Sequence, residues 1–180
     1  MSNKAKLRKE AFEKRKSLDA ELFMSLNESL IRQLLDFIRS KNYQSIHFFL
    51  PIIKNNEPDF SEIFPLIWKE GRKIMVSKTN LKNKILSHYW LEPSTKIEVS
   101  SWGIPEPIDA QIASIDQAEL IVVPLLLADR VGHRLGYGGG FYDKLLANYN
   151  GSTVGVSLLP PVENIPIEPW DIPLQKILFA

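Results

Sequence analysis

The sequence predicts an α/β fold, a mostly parallel sheet covered by helices on both faces. Three observations carry that expectation. Strand-length apolar runs alternate with helical stretches along the 180 residues. Leu120–Val123 is apolar at every position, as in a strand buried on both faces. A glycine-rich stretch leaves that strand and enters a helix, and parallel sheets bind ligands at the carboxyl ends of their strands. The length fits one domain spanning 1–180.

Residues 4–15 lack glycine and proline and predict a helix anchored by Leu7 and Phe12. From Asp19 to Ser40, Leu22, Leu26, Leu30, Leu34 and Ile38 recur at every fourth position, which makes one apolar helical stripe. Ser45–Leu50 predicts a buried strand stopped by Pro51, and residues 54–58 a loop. Asp59 and Glu62 have capping-box spacing and predict a helix running towards Gly71. Pro65 is awkward inside it, because proline removes a backbone donor. Lys73–Val76 predicts a strand, and Leu86–Trp90 and Lys96–Val99 carry weaker strand signals. Beyond the central Leu120–Val123 strand, a helix is expected from Gly140 to Ala147 and a turn over Tyr149–Ser152. Thr153–Ser157 predicts a strand, a proline-rich stretch runs from Pro160 to Pro173, and Lys176–Phe179 predicts the last strand.

Composition narrows the function. Hydrophobic residues are 44% and charged residues 24%, an ordinary globular balance that excludes a disordered chain or a coiled coil. With no cysteine there is no disulfide, thiol nucleophile or thiolate metal site, and a reducing compartment, the cytoplasm, is the expected location. The polar, basic start lacks the apolar segment of a secretory signal. The longest apolar run, Leu120–Ala128, is interrupted by Pro124 and falls short of the ~20 residues of a membrane span. The formal net charge of +1 offers no global field for nucleic acid, so neither membrane nor nucleic acid is expected as a partner. Charge is nonetheless uneven, with 18 basic and 12 acidic residues in 1–100 against 4 and 9 in 101–180. Seven bases fall within residues 1–16, either a solvated helix or an arm that reaches an anion; charge alone favours the solvated helix, because helical basic runs are common on surfaces. His47, His88 and His133 have no metal-ligand spacing and are expected to be structural or exposed.

The chemistry concentrates in the segment from Asp129 to Asp143. Glycines at 136, 138, 139 and 140 let backbone N–H groups approach a ligand closely, and such groups ahead of a helix cradle phosphate. Arg134 adds a planar fork for phosphate oxygens. A tight turn built for backbone reasons alone is the competing explanation, although three consecutive glycines cost more ordering entropy than a turn requires. Asp143 reads equally as a helix-dipole acid worth roughly 0.3–1 kcal/mol or as a Mg²⁺ ligand beside phosphates. A dinucleotide fingerprint begun at Gly136 fails at Phe141, and no Gly-Lys pair exists for a Walker A loop.

Gly132-x-Arg134-Leu135-Gly136-x-Gly138-Gly139-Gly140-Phe141-Tyr142-Asp143 resembles the signature of the 5-formyltetrahydrofolate cyclo-ligases, also called methenyltetrahydrofolate synthetases. The likeness covers nearly the whole chain. Lys4-Ala5-Lys6-Leu7-Arg8-Lys9 is similar to the family's opening segment, Ser101–Pro107 to its middle motif and Ile165–Asp171 to its C-terminal motif. The resemblance implies a three-layer αβα sandwich, Rossmann-like, and an enzyme that uses ATP and Mg²⁺ to close 5-formyltetrahydrofolate into 5,10-methenyltetrahydrofolate. It implies that ATP is held by Lys4, Ala5, Lys6, Leu7 and Arg8 together with Arg134, Leu135, Gly136, Tyr137, Gly138, Gly139, Gly140, Phe141 and Tyr142. It implies catalytic roles for Arg134 and Lys4, metal ligation by Asp143 and Asp171, and a folate pocket lined by Ile52, Glu57, Trp102 and Tyr137–Phe141. The implied partners are small molecules, with the chain a monomer. Departures from the family pattern are Phe141 in place of tyrosine, Trp170 in place of histidine and Gln175 in place of an acid. A phosphate-ligand sensor on the same fold, or nucleic-acid binding through residues 1–16, are the alternatives; a sensor need not keep Asp143 and Asp171, yet both are present.

Overall fold

The computed structural model describes residues 3–180. Two helices open the chain, α1 (Asn3–Lys16) and α2 (Ala20–Lys41). Asp19 caps α2 by accepting from the Leu22 N–H at 2.8 Å, and Asn42 ends it in the left-handed conformation. Leu30, Leu34 and Ile38 are buried and Leu26 partly so, whereas Leu22 is exposed; the buried stripe is shorter than the leucine spacing predicts. β1 (Ser45–His47) also stops short of Leu50, because after Phe48 bonds to the Met75 carbonyl at 2.8 Å the backbone leaves the sheet.

The capping box expected at Asp59 and Glu62 does not form. Asp59 instead accepts from the Ser61 N–H at 2.9 Å, and a single 3-10 turn covers Ser61–Ile63. The helix proper, α3, is Phe64–Lys69, with Pro65 in its first turn. There the missing N–H removes no helical hydrogen bond, which is why the proline is tolerated.

β2 (Lys73–Asn80) runs four residues past its expected end, because it pairs antiparallel along its length with β3 (Ile85–Leu91). β4 (Lys96–Val99) and β5 (Pro105–Ile108) form a separate two-stranded ribbon, and β6 (Ile112–Ala113) edges the main sheet. β7 (Leu120–Pro124) is the predicted central strand. Beyond it, β8 (Leu127–Ala128) and β9 (Arg134–Leu135) brace the glycine-rich segment as an antiparallel pair. α4 (Phe141–Leu146), β10 (Ser152–Ser157) and β11 (Lys176–Phe179) complete the chain.

The seven-stranded sheet has the order β11-β10-β7-β1-β2-β3-β6. Every pairing from β11 to β2 is parallel, and β3 and β6 are antiparallel additions at one edge. Alternate residues of β7 serve opposite layers. Leu120 and Val122 pack with Leu30, Leu34 and Ile38 of α2 and with Ile67 of α3. Ile121 and Val123 pack with Leu146 of α4 and with Leu174. The result is a three-layer αβα sandwich whose second outer layer is thin, since its helix has six residues. α1 belongs to neither face: Ala11 joins Leu126, Leu127 and Leu135 in a separate cluster over the chain that follows β7. The direction of winding reverses between β1 and β7, and a doubly wound sheet opens a crevice at such a point.

Candidate active site

A cavity of about 780 Å³ occupies that crevice. Chain leaving β1 (Phe49, Leu50, Ile52) and the end of β7 (Pro124) form its floor, and β2 contributes Ser77 and Thr79. The glycine-rich segment from Gly136 to Asp143 forms one wall, and α1 reaches in with Lys4 and Arg8.

The wall is held from behind by Asp129. Its buried carboxylate accepts from the backbone N–H of Val131 (3.1 Å) and His133 (2.9 Å) and bonds the His133 ring at 2.8 Å. Burial pushes this carboxyl upward, but the hydrogen bonds outweigh it and hold it below the usual aspartate value. Gly138 has φ +89°, and a Cβ there would lie 3.2 Å from the Arg8 guanidinium carbon. The positive φ calls for glycine, and a Cβ would press on the Arg8 guanidinium, which donates from Nε to the Gly136 carbonyl at 2.8 Å.

At one end of the cavity cations meet carboxylates. Arg134 donates to Asp143 at 2.7 Å and to the Ile172 carbonyl. Burial lowers its pKa, with the Asp143 carboxylate opposing. Lys4 pairs with Glu168 at 3.0 Å and with Asp171. Burial would lower the Lys4 pKa, but its bonds to the two carboxylates win and raise it. Asp171 is correspondingly held low: burial works against its charge, and the Lys4 bond overcomes that.

At the other end Glu57 is only 4% exposed. One carboxylate oxygen accepts from the Ile52 N–H at 2.7 Å and the other from the Tyr137 hydroxyl. Arg15, 1% exposed, stands 4.0 Å from Glu57, lies over the Tyr137 ring, and donates to the carbonyls of Asn55 (3.0 Å) and Leu125 (3.3 Å). Burial pushes the Glu57 carboxyl above the usual range, against the pull of Tyr137, Ile52 and Arg15.

The model of the 5-formyltetrahydrofolate cyclo-ligase family matches residues 1–180. The chain belongs to that family. A 5-formyltetrahydrofolate cyclo-ligase of Haemophilus influenzae is 28% identical over 163 residues, 85% of this chain and 84% of the relative. The NMR structure of the 5,10-methenyltetrahydrofolate synthetase of Aquifex aeolicus superposes with a TM-score of 0.80 at 30% identity, covering 98% of this chain and 89% of the other. A methenyltetrahydrofolate synthetase structure from Mycoplasma pneumoniae, 20% identical, shares the fold with a TM-score of 0.76 over 97% of both chains.

Of the residues that the cyclo-ligase resemblance singled out, the cavity brings together Lys4, Arg8, Ile52, Glu57, Arg134, Gly136–Asp143 and Asp171. Others lie elsewhere. Ala5 borders a small neighbouring recess, Lys6 is exposed and 3.9 Å from Glu10, and Leu7 packs in the α1 cluster. Leu135 is fully buried beneath the loop. Trp102 is 71% exposed on the turn before β5 and lines no part of the cavity, whereas Trp170 does. Arg15, Ser77, Thr79, Glu168 and Trp170 were not singled out. A signal for Arg15 was available: Lys4, Arg8, Ala11 and Arg15 share one helical face at i, i+4, i+7 and i+11.

Among the described residues no group of three or more His, Cys, Asp or Glu side chains is placed to hold a metal. Asp143 and Asp171 both line the cavity, each bonded to a cation. Two carboxylates fit Mg²⁺, which typically takes one or two from the protein and the rest from substrate phosphates and water. Among the same residues no helix is long and apolar enough to cross a membrane.

Proposed function

We propose that this chain, acting as a cytoplasmic monomer of one domain, closes 5-formyltetrahydrofolate into 5,10-methenyltetrahydrofolate with ATP and Mg²⁺, releasing ADP and phosphate. The observation that carries the reading is one cavity with two unlike ends: cations set among glycines at one, a buried carboxylate at the other. The first suits a triphosphate and the second a heterocycle bearing N–H groups.

The formyl group is an amide, a poor electrophile whose oxygen leaves badly. Phosphorylating that oxygen with ATP removes both obstacles, after which N10 attacks the carbon and phosphate departs. The protein's part in phosphoryl transfer is positioning and charge stabilisation. Arg134 and Lys4 exchange their carboxylate partners for phosphate oxygens and hold them through the transfer, and Arg8 packs Gly138 so that backbone N–H groups face the nucleotide. Asp143 and Asp171, freed by that exchange, are the residues that would hold Mg²⁺. When bound, the ion would neutralise phosphate charge. Glu57 accepts paired N–H bonds from the pterin, and Ile52 and Phe141 flank the ring.

The test mixes the protein with ATP, Mg²⁺ and 5-formyltetrahydrofolate and follows methenyl absorbance. Absorbance that grows only with all three present is expected. None from folded protein removes the assignment.

A further inference from the structure

Three polar side chains stand in a row across the sheet, His47 on β1, Ser77 on β2 and His88 on β3. Ser77 lies directly opposite His88, and His47 is in register with Met75, two residues before Ser77 on the same face. The Ser77 hydroxyl is hydrogen-bonded to His47 Nε2 at 2.7 Å and to His88 Nδ1 at 2.9 Å. His47 is fully buried, and among the described residues its Nδ1 is the buried side-chain atom left with no hydrogen-bond partner.

As packing, this row makes little sense. Its neighbours in register are Met75 and Ile121, and apolar side chains of similar shape would remove an unpaired polar atom at almost no cost. Burial also keeps the imidazoles uncharged, with His47 lowered to about 3 and His88 to about 4, so no ion pair rewards their presence. What sets the row apart is that Ser77 lines the cavity. A hydroxyl has one proton and two lone pairs. Two of these three are taken by the imidazoles, and one remains for whatever enters the cavity.

One imidazole donates to the hydroxyl and the other takes its proton, since two donors would leave the serine proton without a partner in the row. The second lone pair of Ser77 is left as an acceptor.

We propose that Ser77 is a substrate-contacting specificity residue, its hydroxyl clamped between His47 and His88 so that it accepts an N–H from the heterocycle bound in the cavity. The proposal rests on the function given above, which makes that heterocycle the reduced pterin. His47 and His88 are positioning residues: they hold the oxygen from two sides, so no hydroxyl rotation has to be frozen when substrate binds.

Steady-state kinetics of Ser77→Ala and Ser77→Thr test it. One hydrogen bond corresponds to about tenfold in affinity, so Ser77→Ala raises the KM for 5-formyltetrahydrofolate about tenfold and leaves the KM for ATP unchanged. Ser77→Thr, which restores the hydroxyl, stays within about threefold of the parent protein. An unchanged folate KM in Ser77→Ala, or an equal rise in both KM values, overturns the proposal. A parent protein without turnover strikes the proposed function instead. The clamp is then read directly, as it is if Ser77→Ala does not fold. In ¹⁵N-histidine spectra of the parent protein, His47 and His88 are each expected as one neutral tautomer, and 5-formyltetrahydrofolate without ATP shifts the ring nitrogens of both. Ring signals that stay still at saturating ligand overturn it.

Discussion

At one end of the cavity Lys4 faces Asp171 and Glu168, and Arg134 faces Asp143; the cations are 6–12% exposed, but their carboxylate partners 20–47%. At the other end the carboxylate is enclosed as well as its cation: Glu57 and Arg15 are both almost wholly buried, and each is tied by further bonds to backbone or to Tyr137. On the proposed function the first pairs trade partners when a more highly charged ligand arrives, since their part-exposed carboxylates are not left enclosed without a cation. The second set is built before any ligand comes, since an enclosed charge left alone costs several kcal/mol. On the proposed function, one end of the cavity therefore works by exchange and the other by prior arrangement. Substitutions at the first should act on rate and nucleotide affinity, and at the second on stability.

The sharpest way to break that contrast is Arg134→Ala. An arginine that stabilises charge in phosphoryl transfer contributes on the order of 10³–10⁵ in rate, and we expect a loss of about 10³ in kcat/KM. The urea midpoint should move little, because Asp143 is partly exposed and solvent can take it over. A variant as active as its parent at low ATP would leave Arg134 no role in transfer. Arg15→Ala is the converse. It removes a buried cation from beside Glu57, and we expect about 3 kcal/mol of lost stability by urea unfolding, with part recovered in Arg15→Ala/Glu57→Gln. Less than 1 kcal/mol, roughly the value of an exposed ion pair, would show that the enclosed end is not held by charge. Lys4→Met should raise the KM for ATP about tenfold with little change in unfolding, the signature of one lost phosphate contact.

Acid sharpens the comparison from another side. The unfolded chain protonates His47 and His88 below their ordinary value of 6.5, whereas burial lowers them in the folded protein to about 3 and about 4. Between these limits the unfolded state binds more protons, so stability is complete above pH 6.5 and falls as pH drops towards 3. The urea midpoint should be lower at pH 5 than at pH 7, a window above the ordinary titration of carboxylates. His47→Leu/His88→Leu should flatten that difference; an unaltered slope would assign the effect to other groups.

The parts that could be read from the chain alone are those whose cost or pattern is local. The leucine period set out α2, the run Leu120–Val123 marked the central strand, and three adjacent glycines betrayed a backbone built for close approach. β5, β6, β8 and β9 were invisible, because two to four residues carry no period and their pairing is chosen by the chain they meet. Arg15 is hidden in the sequence for a different reason. Its residue type says surface, and only the stripe it shares with Lys4, Arg8 and Ala11 says otherwise. His47, Ser77 and His88 become neighbours only once β1, β2 and β3 are known to lie side by side.

Trp102 gives the smallest expected effect and the most direct check on prior arrangement. The family resemblance assigns it to the folate pocket, yet it lies 71% exposed, two residues from Ile104, which does line the cavity. Between them Gly103 turns the chain at φ +77°. If the pterin end is complete before ligand arrives, Trp102→Ala should change stability by less than about 0.5 kcal/mol, as exposed substitutions do, and shift the folate KM less than twofold. A tenfold rise in that KM with unchanged stability would mean that the turn swings inward and the indole covers bound substrate. The pterin end would then depend on closure as much as the nucleotide end depends on exchange, and the contrast between them would fail at its rim while holding at its floor.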